Sequence, residues 1–300
     1  MTTVVPAVDG RGLAVEEWGE PAGRPVFLLH GTPGSRLGPI PRPMVLYQLG
    51  IRLITFDRPG YGRSDRRIGR AVADVADDVR RIANTLELRE FAVLGRSGGG
   101  PHALACAALL PGRARRVAAL VGLAPAQAEG LDWFEGMAAS NTREYLAVRR
   151  QGPLVSARLR SVADRIRADP AQYVADLSAE LTQSDRRVVS DAGMRRMLLE
   201  TFAEAFRTSA DGWIDDLLAF CAPWGFELGD IVVPTMLWHG ANDTFSPAGH
   251  SRWLADRIPT STVVVQPGSA HFGAFDVLPD VLTWLVQPDG APGARTSQRL

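Results

Sequence analysis

The sequence predicts a doubly wound α/β fold, in which parallel strands alternate with helices. Short apolar runs and stretches of helical periodicity follow one another through the first 125 of 300 residues. Most of the apolar runs end in a loop rich in Gly, Pro or Asp, and this alternation is typical of parallel strands joined by right-handed crossovers. In such sheets the ligand site lies beyond the carboxyl ends of the strands, so these loops are expected to converge.

The first predicted element is a hairpin over residues 2–18, around Asp9-Gly10-Arg11-Gly12. Helices are expected where apolar residues recur at helical spacing, and strands where short apolar runs are continuous. The expected strands span 25–29, 51–56, 91–94 and 117–123. The expected helices span 43–49, 72–86 and the residues from 101 onward.

From about residue 126 to residue 230 only helical periodicity remains, with apolar stripes that begin at residues 155, 173, 194 and 213. A helical block inserted into a sheet protein indicates a lid, whose apolar faces either pack on one another or line a substrate cavity. Strands resume at 234–240 and 262–266, and a helix at 277–286 closes the fold. The expected domains are core 1–125, helical cap 126–230 and core 231–286, followed by a disordered tail, 287–300.

Composition excludes several classes of function. The 33 basic and 33 acidic residues give a formal net charge of zero, which argues against a nucleic-acid or membrane-surface partner. Cys106 and Cys221 lie in apolar stretches, which favours buried thiols over a disulfide, and no histidine pair has zinc-ligand spacing. Without a signal segment or a long apolar run, a cytoplasmic protein is expected, either monomeric or homodimeric.

The most informative stretch is Gly95-Arg96-Ser97-Gly98-Gly99, which leaves almost no loop between a strand and a helix. The chain must turn sharply there, with Ser97 at the apex, as in a nucleophile elbow. The alternative interpretation is a Gly-rich turn whose serine only caps the helix.

A serine nucleophile needs an imidazole base and a carboxylate that orients it. His271 follows the last predicted strand and Asp243 the preceding one, at the same sheet edge as Ser97. The order Ser97, Asp243, His271 is that of hydrolases with a nucleophile elbow. A turn-forming aspartate and a structural histidine are the alternatives.

An oxyanion formed at Ser97 needs two hydrogen-bond donors. Gly98 supplies one backbone N–H, and Thr32 in the loop His30-Gly31-Thr32-Pro33-Gly34 is expected to supply the other, because Pro33 has none. Arg96 either pairs with a loop carboxylate or reaches the site.

These motifs, with Asp57-Arg58-Pro59-Gly60-Tyr61-Gly62-Arg63-Ser64, resemble the α/β-hydrolase superfamily. The resemblance implies a mostly parallel eight-stranded sheet, a helical cap after the sixth strand, no cofactor, and a buttressing role for residues 57–64. Ser97 stands where haloalkane dehalogenases and epoxide hydrolases carry aspartate, which argues against both. The chain is partly similar to carboxylesterases and proline iminopeptidases, but Thr32 replaces a Gly of the iminopeptidases and no Trp follows Ser97.

The expected activity is serine hydrolysis of a small to medium carboxylic ester or lactone. Cap aromatics are expected to bind the substrate, namely Trp133, Phe134, Phe202 and Trp213. One alternative is an aminopeptidase or amidase whose cap carboxylates hold a substrate amine, with Glu135, Glu144 and Glu204 as candidates. The other is a homologue that binds a ligand or tailors a secondary metabolite.

Overall fold

The computed structural model describes residues 2–151 and 153–288, and within these ranges eight strands form one sheet. In chain order they are β1 (Thr3–Pro6), β2 (Gly12–Gly19), β3 (Arg24–Leu29), β4 (Ile51–Phe56), β5 (Phe91–Arg96), β6 (Ala114–Leu120), β7 (Thr235–Gly240) and β8 (Ser261–Gln266). Their spatial order is β1-β2-β4-β3-β5-β6-β7-β8. β2 is antiparallel to β1 and β4, and the other pairs are parallel. The predicted mostly parallel sheet is confirmed.

Helices pack against the parallel strands, because continuous apolar strands must be covered. Those outside the inserted block are α1 (Pro43–Gln48), α2 (Val75–Thr85), α3 (Gly99–Leu109), α10 (Gly249–Ala255) and α11 (Leu278–Leu285). α3 is buried along most of its length, because it lies behind the centre of the sheet. Cys106 on α3 is buried, Cys221 is half-buried, and neither forms a disulfide.

One predicted strand is displaced. β6 spans Ala114–Leu120, whereas the apolar run predicts 117–123. Arg115 and Arg116 at its start are charged, so the beginning of the strand does not appear as an apolar run in the sequence. In the structure, the guanidinium of Arg116 lies over the ring of Trp284, 5.3 Å from its centroid. At the other end Val121 has a φ of +48°, a left-handed conformation that ends the strand.

The inserted block between β6 and β7 consists mainly of helices. They are α4 (Ala139–Gln151), α5 (Pro153–Ala168), α6 (Pro170–Glu180), α7 (Gln183–Val189), α8 (Ala192–Ala205) and α9 (Asp211–Cys221). The four predicted stripes lie on α5, α6, α8 and α9, whereas the short α7 and the polar α4 carry no comparable stripe. Asp169, Thr182 and Asp191 cap α6, α7 and α8 with their side-chain oxygens.

One continuous cluster of buried apolar side chains extends from the sheet into these helices. We call α4–α9 the cap helices; the wider cap bounds of 126–230 stay a prediction. Across the described ranges, no helix combines the length and apolarity needed to cross a membrane. Residues 289–300, most of the predicted tail, lie outside the described residues.

Candidate active site

Ser97 occupies the sharp turn between β5 and α3. Its φ is +54°, in the left-handed region that residues with a Cβ rarely adopt. Its N–H donates to the Leu120 carbonyl (2.8 Å), and its carbonyl accepts from the Gly100 N–H (2.8 Å). The turn is therefore held from both sides while the Ser97 hydroxyl carries no structural hydrogen bond among the described residues.

Two glycines permit this turn because no side chain fits at either position. A Cβ on Gly95 would lie 2.1 Å from the Gly99 carbonyl oxygen, and one on Gly99 would lie 2.2 Å from that of Leu29. The close approach of α3 to the strands thus depends on the elbow glycines.

His271 and Asp243 come together at the ends of β8 and β7. His271 Nδ1 lies 2.8 Å from Asp243 Oδ2. Asp243 Oδ1 accepts from the N–H groups of Phe245 (2.8 Å) and Ser246 (3.0 Å), which fix the carboxylate. If Nδ1 donates its proton to Asp243, Nε2 remains free to accept one.

The carboxylate of Asp243 is buried but stays ionised. Burial by itself would raise the pKa of Asp243, but His271 and His239 outweigh it and hold that pKa well below its usual range. A buried, ionised partner is what an imidazole needs when it takes up a proton.

Ser97 and His271 line the same cavity, of about 270 Å³, which is walled on its other side by the cap helices. Thr32 and Gly98 line it as well. A Cβ on Gly98 would meet Thr32 Oγ1 at 2.2 Å, so these two segments touch. Four of the five residues predicted for catalysis and oxyanion binding therefore face one space, and Asp243 lies behind His271.

Sequence reasoning missed the group that holds Thr32. Asp216 of α9 is 0% exposed and accepts from the Thr32 hydroxyl (2.5 Å). Its carboxylate also pairs with Arg58 (2.6 Å) and Arg70 (2.6 Å) and accepts from Tyr61 (2.8 Å). Burial favours the neutral acid, but the two guanidinium groups outweigh it and hold the pKa of Asp216 well below its usual range.

A signal for Asp216 was present in the sequence. Trp213, Asp216, Leu217 and Phe220 are spaced as one face of a helix, and all four are buried. A carboxylate on an apolar helix face indicates a buried ion pair, although nothing local identifies its partners.

The other histidines make structural hydrogen bonds. His30 Nε2 accepts from the Arg58 N–H (3.1 Å), and His250 Nδ1 accepts from the Ala124 N–H (3.0 Å). His102 contacts Asp216 (3.3 Å), and His239 contacts Ser251 (2.7 Å). No group of three or more His, Cys, Asp or Glu side chains in the described ranges is arranged to hold a metal ion.

The aromatic residues predicted to bind the substrate divide into two groups. Phe202 and Trp213 line the cavity with Tyr145 and Tyr173. Trp133 and Phe134, which the sequence also suggests as substrate-binding residues, are not part of its wall. Trp133 is only 5% exposed, and its indole N–H donates to the Ala124 carbonyl (2.9 Å). This N–H therefore makes a hydrogen bond within the protein and is not directed at a substrate.

The carboxylates of the inserted block between β6 and β7 divide in the same way. Glu144, Asp176 and Glu180 line the cavity, whereas Glu204 pairs with Arg36 (2.6 Å) and Arg207 (2.8 Å), and Glu135 is exposed. Glu204 and Glu135 are therefore not placed to hold a substrate amine.

Arg96 reaches the cavity wall without forming an ion pair within 4 Å in the described residues. Its guanidinium lies over the ring of Phe275, 4.3 Å from the centroid, and more distantly over Phe272. Burial lowers the pKa of Arg96 to about 10, against the attraction of Asp243 and Asp185.

The predicted buttressing loop, residues 57–64, is anchored by hydrogen bonds to the carboxylate of Asp57. Arg36 donates to its carboxylate from the backbone N–H (2.7 Å) and from the guanidinium (2.5 Å), and the Arg63 N–H donates as well (3.1 Å). Next to it, Arg58 donates to the carbonyls of His30 and Gly31. These contacts fix the loop that carries Thr32.

Comparisons with known proteins agree with this architecture. Residues 24–276 match the family model described as the alpha/beta hydrolase fold. An AB hydrolase superfamily protein, YisY, of Bacillus subtilis is 30% identical, over 88% of this chain and 89% of its own length. A non-heme haloperoxidase of Rhodococcus erythropolis is 27% identical, over 89% and 92%.

A bromoperoxidase structure from Bacillus anthracis superposes with a TM-score of 0.69 at 20% identity, covering 96% of this chain and all of that one, which shows the shared fold. Proteins named as esterases occur among the structural neighbours, and proline iminopeptidases occur among the sequence relatives. The family model and the YisY relative each cover most of the chain, and this chain belongs to the α/β-hydrolase superfamily.

Proposed function

We propose that this protein is a serine hydrolase that cleaves small to medium carboxylic esters or lactones through an acyl-enzyme. The observation that carries the proposal is Ser97, strained into an elbow and facing the same cavity as the His271–Asp243 pair. In this family a serine so placed next to an oriented imidazole is the usual nucleophile for acyl transfer.

In the proposed mechanism, Ser97 Oγ attacks the substrate carbonyl while its proton passes to His271 Nε2. Asp243 orients His271 and stabilises the imidazolium. The backbone N–H groups of Thr32 and Gly98 hold the oxyanion. His271 then returns the proton to the leaving alcohol, and water deacylates Ser97 by the same route.

The cavity supports a substrate of modest size. Its volume of about 270 Å³ lies near the lower end of ligand pockets, and Phe202, Trp213 and Leu217 give it apolar wall. We expect nitrophenyl esters with short acyl chains to be preferred over long ones.

The test is turnover of a panel of nitrophenyl esters and simple lactones by the wild type and by Ser97→Ala, with a fluorophosphonate probe alongside. We expect turnover and a probe adduct that peptide mass spectrometry locates on Ser97, both absent in Ser97→Ala. Turnover that survives in Ser97→Ala, or an adduct on another residue, would contradict the proposal.

A second candidate is an aminopeptidase or amidase, which the cavity carboxylates favour. Glu144, Asp176 and Glu180 face the same space as Ser97. Burial, opposed by Arg158 and reinforced by Glu180, raises the pKa of Glu144 to about 7. An amine bound there would relieve the repulsion between these carboxylates.

From the raised pKa of Glu144 we expect a preference for cationic substrates that depends on pH. Below pH 7 its carboxyl is neutral, and above pH 7 its charge attracts a cation. We expect KM for a trimethylammonium ester, relative to its uncharged tert-butyl isostere, to fall about 3- to 10-fold from pH 6 to pH 8. Glu144→Gln should remove this trend, and Glu135→Gln, an exposed control, should keep it. A ratio that does not change with pH in the wild type would refute a cation-binding role.

A further inference from the structure

Asp185, in the cap helix α7, reaches across to the turn that carries His271. Its side chain is 0% exposed. Its Oδ1 accepts from the N–H of Phe272 at 2.7 Å, and Phe272 directly follows His271. This hydrogen bond connects the cap helices to the 3₁₀ turn His271–Phe275.

The local sequence fixes Asp185 in this position. Thr182 caps α7 by accepting from the Asp185 N–H (3.2 Å), and α7 packs against the His271–Phe275 turn. The backbone of Asp185 is thus held at the start of α7, next to the His271–Phe275 turn. Its carboxylate is held by the Phe272 N–H.

The second oxygen of Asp185 has no ordinary structural role. Oδ2 is buried and has no hydrogen-bond partner within the described ranges. A buried carboxylate oxygen without a partner is costly, so its retention needs an explanation.

The charges around Asp185 suggest that explanation. The ring of His271 attracts its carboxylate, Asp243 repels it, and the guanidinium of Arg96 is attracted to it. Burial raises the pKa of Asp185, while the Phe272 N–H and the His271 ring oppose that rise.

We propose that Asp185 is a positioning residue, a second carboxylate that holds the His271 turn and stabilises the His271 imidazolium. The inference rests on the proposed role of His271 as the base. Asp243 orients the ring from β7, and Asp185 fixes the adjacent backbone from the cap. When the proton of Ser97 moves to His271, two carboxylates then attract the new positive charge. The guanidinium of Arg96 opposes them, and His239 contacts Asp243 (3.2 Å).

Two variants separate the charge from the hydrogen bond. Asp185→Asn keeps an acceptor for the Phe272 N–H but removes the charge, and Asp185→Ala removes both. Asp191→Asn is the matched control, because Asp191 is an exposed N-cap of the next helix, α8, where asparagine caps equally well.

The first measurement is the pH profile of kcat and kcat/KM on a nitrophenyl ester. For Asp185→Asn we expect kcat to fall about 10-fold with little change in KM, since the lost charge acts on the imidazolium. The acidic limb of kcat/KM should move by about 0.5 to 1 pH unit to lower pH, because an imidazolium that loses a nearby anion gives up its proton more readily. Asp191→Asn should match the wild type.

The second measurement is amide hydrogen exchange over residues 270–276 without substrate. Asp185→Ala should exchange faster there than the wild type, whereas Asp191→Asn should not. Unchanged exchange in Asp185→Ala would overturn the inference, as would an Asp185→Asn variant whose acidic limb does not move. Loss of stability alone, with the pH profile intact, would assign Asp185 a purely structural role and also overturn it.

The exchange measurement keeps this inference separate from the proposed function. A wild type without Ser97-dependent turnover would refute the esterase proposal, whatever Asp185 does. In that case the exchange of residues 270–276 alone would decide whether Asp185 holds the turn.

Discussion

A Ser97→Gly variant is expected to lose ester turnover by at least about 10⁴-fold and yet to be more stable than the wild type. The loss follows from the proposed role of Ser97 as the nucleophile. The gain follows from the φ of +54° at Ser97, where a Cβ costs about 1–2 kcal/mol and glycine fits without strain. After the entropy of glycine in the unfolded chain is subtracted, the net gain is about 1 kcal/mol, or roughly 2–4 °C in Tm.

Ser97→Ala is the matched control for this prediction. Alanine also lacks the hydroxyl, so turnover should fall equally, but its Cβ keeps the strain and no gain in Tm is expected. Thermal unfolding of the three proteins tests the argument. A glycine variant no more stable than the alanine variant would show that the elbow is not strained.

An Asp216→Ala variant is expected to lose about 3–5 kcal/mol of the free energy of unfolding, because it leaves the buried cations of Arg58 and Arg70 without their carboxylate. At about 3 °C per kcal/mol, Tm should fall by roughly 9–15 °C. The Thr32 hydroxyl also loses its acceptor, so kcat of the protein that remains folded should fall about 10-fold, because the loop that carries the proposed oxyanion donor Thr32 loosens. Urea unfolding and ester kinetics measure the two effects.

Asp215→Ala, one residue away on α9, is the control. Asp215 pairs with Arg66 (2.8 Å), whose side chain is 30% exposed and can turn to solvent. We expect a loss of about 1 kcal/mol and unchanged kinetics. Equal losses in the two variants would contradict the role assigned to Asp216 as the partner of Arg58 and Arg70.

The loss of unfolding free energy in Asp216→Ala should also persist at mildly acidic pH. The pKa of Asp216 in the folded protein is held well below its usual range, so its contribution is complete above the pKa of an unfolded aspartate and is lost only as the pH falls towards the folded value. Asp216→Ala should therefore remain destabilising at pH 5 as at pH 7. A difference between variant and wild type that vanishes at pH 5 would mean that the carboxyl is neutral there.

The sequence by itself determined the α/β class, most of the sheet and the positions of Ser97, Asp243 and His271. These features depend on local patterns: continuous apolar runs give buried strands, and the glycines at positions 95, 98 and 99 admit an elbow. The parallel order of the strands then brings their carboxyl ends to one edge. The convergence of residues far apart in sequence can therefore be predicted without any knowledge of side-chain contacts.

Only the tertiary structure decided which cap residues face Ser97. The sequence shows that Trp133, Phe202 and Trp213 are aromatic, but it does not show whether each packs inward or lines a cavity, and Trp133 packs inward. The partners of Asp216 and Asp185 are likewise distant in sequence, at Thr32 and Phe272. Buried hydrogen bonds of this kind depend on how the cap helices dock on the sheet, and no local pattern encodes that docking.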